Sequence, residues 1–107
     1  MRIKEITLER VRQAYRNQNL RPNRGITNAR DPAGCCALAA VAADVNGGPT
    51  WDWSNLLVIP NHTLNRFGMG FDRGFCDEMG KMDYRQEERG EWQQGYDIGR
   101  AIAKDGV

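Results

Sequence analysis

The sequence predicts an all-α fold: one compact bundle of about four helices, with a short irregular segment around residues 50–60. Three observations lead there. Leu8, Val11 and Tyr15 fall at helical spacing before the stop signal NLRPNRG (19–25), and an alanine-rich run of small residues ends at the stop signal NGGP (46–49). Phe67, Phe71 and Phe75 fall every four positions, on one face of a helix. Glycines stand among those anchors in FGMGFDRGF (67–75), and the pattern G-aromatic-D-x-G returns in GYDIG (95–99). A chain of 107 residues is one domain by size. Such a domain buries roughly two-thirds of its unfolded surface, enough for a core without metal or disulfide.

The elements follow in order. Thr7 is placed as an N-cap, and Leu8, Val11 and Tyr15 follow at helical spacing, giving a helix over about Leu8–Gln18. Pro22 and Gly25 stop it, and the segment to Arg30 reads as an exposed basic loop. In DPAG (31–34), Asp31 is a cap and Pro32 a first helical residue. The helix GCCALAAVAADV then runs to NGGP. Its small side chains let neighbours approach closely, which places it at the centre of the fold. In TWDWSNLLVIP (50–60), Ser54 caps a short turn over Asn55–Val58, Ile59 is extended before Pro60, and a short strand is the alternative.

Pro60 and Asn61 start the next helix, about Asn61–Met79. Leu64, Phe67, Phe71, Phe75 and Met82 share one arc, with Gly68 and Gly74 inside it. Residues 81–91 read as a polar connector. The last helix, about Glu91–Lys104, gathers Trp92, Gly95, Tyr96, Gly99, Ile102 and Ala103 on one face. Each helix-interior glycine costs about 0.8–1 kcal/mol against alanine. Only close approach of two backbones, with aromatic rings buried around it, offsets that. The expectation is an antiparallel hairpin crossing at the two pentads. The alternative for FGMGFDRG, a nucleotide-binding loop, lacks the G-x-G-x-x-G spacing, a preceding strand and a Walker lysine.

Charge and hydropathy bound the function. The longest apolar run, Cys35–Ala43, is nine residues and too short to span a membrane. MRIKEITLER has no apolar signal core, so the expectation is a cytoplasmic protein with no membrane partner. Net charge is +1, but residues 1–30 carry eight basic residues against Glu5 and Glu9, a net of +6, leaving −5 on the remainder. The basic third contacts nucleic acid, an acidic protein, or the acidic two-thirds of this chain or of a second copy in a homodimer. The candidate docking face is Arg10, Arg12, Arg16, Arg21, Arg24 and Arg30, with Tyr15 available for stacking.

The stretches TLERVRQAYRNQNLRPNRG, GCCALAA, FGMGFDRGF and GYDIGRAIA resemble a loose group of small bacterial and mobile-element proteins, phage- or integron-cassette-like, of unknown function. The resemblance spans most of the chain. It implies the helical architecture only and carries over no catalytic residue; no cofactor is expected, and the role expected of the chain is that of a binding or accessory protein.

Few residues point to chemistry. Cys35 and Cys36 fall in the expected first turn of a helix, where the dipole favours a thiolate. The plainer reading is two small buried residues. Cys35, Cys36, Cys76 and His62 lack metal-ligand spacing, so no metal is expected. His62 has no acid or nucleophile beside it. Asp72 and Asp97 occupy matching places in the pentads. They are expected to meet Arg100 and Arg73 across the hairpin as a lock, with an acid–base pair as the alternative. The leading expectation is a non-enzymatic binding protein. The alternative is a small enzyme or thiol-redox protein using Cys35 and Cys36, or Asp72 and Asp97, in a cleft between helices.

Overall fold

The computed structural model describes residues 1–76 and 89–107. It is all-α, with helices α1 (Leu8–Asn17), α2 (Ala37–Asn46), α3 (Trp53–Leu57), α4 (Asn61–Phe75) and α5 (Arg89–Asp105). The expected end of the fourth helix at Met79, the place of Met82 on its arc, and most of the 81–91 connector lie outside the described residues. Residues 89–91 are already helical.

α1 forms as its pattern dictates. The Thr7 hydroxyl accepts the Arg10 N–H at 3.1 Å, one of the donors a helix start leaves unpaired. Val11, Ala14 and Tyr15 are buried. Asn19, with φ +52°, turns the chain out of the helix, and the Leu20 N–H closes on the Tyr15 carbonyl at 2.8 Å.

α2 starts later than expected. DPAG does not open it but makes a turn: the Gly34 N–H reaches the Asp31 carbonyl at 3.0 Å, and the Asp31 carboxylate accepts the Ala33 N–H at 2.9 Å. Asp, Pro and Gly at positions one, two and four favour a β-turn as strongly as a helix start. Gly34 decides between them. Its φ is +108°, and a Cβ there would overlap the Arg21 carbonyl oxygen. Cys35 then runs beside the loop after α1, bridging Pro22 in parallel, with its N–H on the Arg21 carbonyl at 2.8 Å. Cys36 is the N-cap, and the helix begins at Ala37. Neither cysteine is in a helical first turn. From Ala37 to Ala43 every residue is buried, against α1, α3 and α4, so this thin helix is the centre of the fold. Gly47, with φ +78°, and the Gly48 N–H on the Ala43 carbonyl end it.

The irregular segment resolves as helix, not strand. Asp52 holds the N-cap position of α3 without a side-chain capping bond, two residues before Ser54, and the Trp53 indole N–H is tied to the Thr50 carbonyl at 2.8 Å. Leu57 and Ile59 are buried, whereas Trp51 and Val58 are exposed.

α4 and α5 pack backbone to backbone at the pentads. A Cβ at Gly70 would overlap the carbonyl oxygen of Trp92, one at Gly74 that of Tyr96, one at Gly95 that of Phe67, and one at Gly99 that of Phe71. These contacts climb both helices together. The pair is therefore parallel, and the expected antiparallel hairpin is corrected. Chain length permits this. A stretch as long as residues 76–88 reaches up to about 40 Å, more than the rise of about 22 Å along α4. Moreover, adding 25 to each α4 partner gives its α5 counterpart: Gly70 against Trp92 mirrors Gly95 against Phe67. The sequence echo is thus a local two-fold pairing of G-x-x-x-G ridges, which brings Cα–H groups onto facing carbonyls.

Candidate functional site

The predicted docking face divides into a part used by the fold and a part left at the surface. Arg10 pairs with Asp44 at 2.7 Å, with both side chains largely withdrawn from water. Gln18 and Asn17 also donate to that carboxylate, at 3.2 and 3.4 Å. Burial works to raise the pKa of Asp44, but Arg10, Gln18 and Asn17 outweigh it and hold the group below its usual value. The Nε of Arg12 donates to the Gly106 carbonyl at 3.2 Å, and the Nε of Arg16 donates to the Val107 oxygen. The arginines of α1 thus fasten it to α2 and to the end of α5. Tyr15 is a correction. It is fully buried, its hydroxyl donates to the Cys35 carbonyl at 2.7 Å, and it offers no ring for stacking.

Arg21, Arg24 and Arg30 are exposed on the loop that links α1 to α2. Arg21 and Arg30 flank an open cleft of about 770 Å³ between the end of α1, the 29–32 turn and the end of α2. Leu20, Pro22, Ala29, Ala43 and Pro49 are among its apolar lining, and Gln18, Asn19 and Asp31 line it as well. The backbone on both sides is fixed: the Arg21 carbonyl accepts from Cys35, and the Arg30 N–H donates to the Asn28 side chain at 3.0 Å. The walls are preformed and the cations project from them.

The residues singled out for chemistry separate. Asp72 and Asp97 take different partners instead of forming the expected matched lock. Asp72 accepts the Gly25 N–H at 2.8 Å, tying the basic loop to α4, and Asp97 accepts from Gln93 on its own helix at 2.9 Å. The expected lock of Asp72 with Arg100 and Asp97 with Arg73 belongs to an antiparallel crossing, and the parallel pairing removes that register. Arg73 and Arg100 are exposed. Burial raises the pKa of Asp72, while the Gly25 N–H and the Arg24 charge only partly counter it.

Cys36 and Asp72 line one pocket of about 350 Å³; Cys35 and Asp97 do not. Both thiols are buried and free. Burial, with Cys36 beside it, pushes Cys35 up to about 12. Burial also pushes Cys36 up to about 11, against the backbone N–H groups of α2 that pull it down. At neutral pH both are un-ionised, the opposite of what a nucleophile needs. His62 is exposed at the start of α4.

Two features lie beyond what the sequence pattern predicts. Asp44 holds the basic helix, and its signal was visible: it is the one charge in GCCALAAVAADV. The Asp72 pocket gathers side chains from α2, α3, α4 and the loop, so no local pattern marks it. Comparison with protein-family models, curated proteins and solved structures finds no match to this chain.

Proposed function

We propose that this chain is a non-enzymatic binding module that docks an acidic protein segment in the cleft between Arg21 and Arg30. The observation that carries the reading is the pairing of two exposed guanidinium groups with an apolar lining. A segment bearing Asp or Glu beside a small apolar residue satisfies both. The arginine fork donates bidentately to a carboxylate, and the lining buries the apolar side chain. A single-stranded nucleic acid is favoured less. It requires a track of phosphate contacts and rings on which bases stack, whereas the α1 arginines serve the fold and Tyr15 is buried.

The test uses fluorescent peptides of mixed Glu and Leu, and DNA and RNA oligonucleotides, at low salt. The acidic peptide is expected to bind. The variant Arg21→Glu with Arg30→Glu is expected to weaken it by about ten-fold or more, equivalent to ~1.4 kcal/mol, with an unchanged melting temperature. Failure of the peptide to bind ends the proposal. Binding by the oligonucleotides alone, with a steep salt slope, replaces the protein partner by nucleic acid. A dimer in light scattering that the double reversal dissociates would make the acidic segment that of a second copy.

A further inference from the structure

Five glycines lie within the packed parts of α4 and α5, and four of them are explained by the seam between the helices. Gly68 is not. A Cβ there would meet only the Leu38 methyl, at 3.4 Å, an ordinary contact. A glycine inside a helix costs about 1 kcal/mol against alanine, and at this position it wins no close approach of backbones. What it leaves is space, because Gly68 is part of the wall of the 350 Å³ pocket.

The other walls are defined. Leu38 and Leu64 are buried and apolar. The Trp53 ring is fixed by its indole N–H on the Thr50 carbonyl. Met69, half exposed on the rim, is a soft and adaptable side chain. Among the described lining residues Asp72 is the one charge. It is half-buried, and one carboxylate oxygen is engaged by Gly25. Its partners do not fully offset the loss of water around it, because its pKa stays above the usual value even with the Gly25 N–H and the Arg24 charge pulling it down. A pocket of this volume, apolar with few polar groups, has the form of a small-molecule site.

We propose that this pocket binds a small organic cation, with an ammonium group on the Asp72 carboxylate and an apolar body lying over Gly68 between Leu38, Trp53 and Leu64. The ammonium supplies the positive charge and hydrogen bonds that burial withholds from Asp72. The apolar body replaces water on the leucine and indole surfaces.

The probes are hexylamine, hexanol and hexanoate, which share one chain and differ in head group. Binding is read from the amide resonances of Gly25 and Gly68 and the indole resonance of Trp53. Hexylamine, protonated at neutral pH, is expected to shift all three and to bind at least about five-fold more tightly than hexanol, a preference of ~1 kcal/mol. Hexanoate is expected not to bind. Asp72→Asn keeps an acceptor for the Gly25 N–H and should abolish the preference for the amine. Gly68→Met should fill the space and abolish binding of every probe. Equal or tighter binding of hexanoate overturns the proposal, as does the absence of shifts at millimolar probe or shifts confined to Arg21 and Arg30. If Gly68→Met does not fold, the comparison of amine with alcohol in Asp72→Asn decides alone. Peptide docking at the Arg21–Arg30 cleft is measured on other resonances, so either site can fail without the other.

Discussion

Asp44 and Asp72 are both drawn out of water, and they answer to pH with opposite signs. The folded pKa of Asp44 lies below the ordinary 3.8. Between the two values the unfolded chain binds more protons, so stability rises with pH through that window and is lost as pH falls below 3.8. The folded pKa of Asp72 lies above 3.8, so there the folded chain binds more protons and stability falls as pH rises. Urea denaturation across pH should therefore separate two conservative changes. Asp44→Asn lowers stability at neutral pH and flattens the acid limb. Asp72→Asn raises stability at neutral pH and changes nothing well below 3.8. If both substitutions move the curve the same way, the assigned environments are wrong. Legibility at this scale depended on how local the chemistry is. Thr7 was readable because a cap needs only the next three residues. Asp31 was not, since its own turn and a helix start use the same residue types, and the left-handed φ at Gly34 is imposed by a strand-like contact with Arg21. Tyr15 shares the apolar spacing of Leu8 and Val11, which marks it for burial, but nothing local reveals that Cys35 passes over its hydroxyl and leaves no ring for stacking.

At the scale of elements, substitution by a single methyl group distinguishes two kinds of glycine on one helix. Gly70 and Gly74 face carbonyl groups of α5, and backbone cannot move aside as a flexible side chain can. Gly70→Ala is expected to cost about 3 kcal/mol or more, at or beyond the upper end of ordinary overpacking. Gly74→Leu should prevent folding. Gly68→Ala, two residues before Gly70, is expected to gain about 1 kcal/mol from helix propensity, raising the melting temperature by roughly 4–8 °C. Thermal melts monitored by circular dichroism check the contrast. A loss at Gly68 comparable with that at Gly70 would mean that the pocket is not open there. The close meeting of the two helices was legible, because helices that carry five glycines among aromatic rings recover the lost propensity chiefly where backbone meets backbone. Its direction was not. Two pentads related by 25 residues fit a parallel or an antiparallel crossing equally well, and the choice rests on how Phe67 and Trp92 extend the echo.

For the whole molecule, the charge asymmetry has two uses that a count of charges cannot separate. α1 spends its arginines on Asp44 and on the carbonyls that follow α5, which holds the first and last helices together. The loop after α1 keeps Arg21 and Arg30 at the surface. That loop also joins the two concavities. Arg21, Pro22 and Arg30 border the cleft, Gly25 and Thr27 border the pocket, and the bond from Gly25 to Asp72 sets where the loop sits on α4. Asp72 does not line the cleft, yet its removal should be felt there. Asp72→Ala leaves the Gly25 N–H without its acceptor, a loss of about 1 kcal/mol, and frees the loop that positions both arginines. Acidic-peptide affinity is therefore expected to fall several-fold in Asp72→Ala and to stay unchanged in Asp72→Asn, where the amide oxygen still accepts. Both variants remove the carboxylate charge, a change that by itself favours an acidic peptide, so an equal loss in the two would overturn the role given to the Gly25 hydrogen bond.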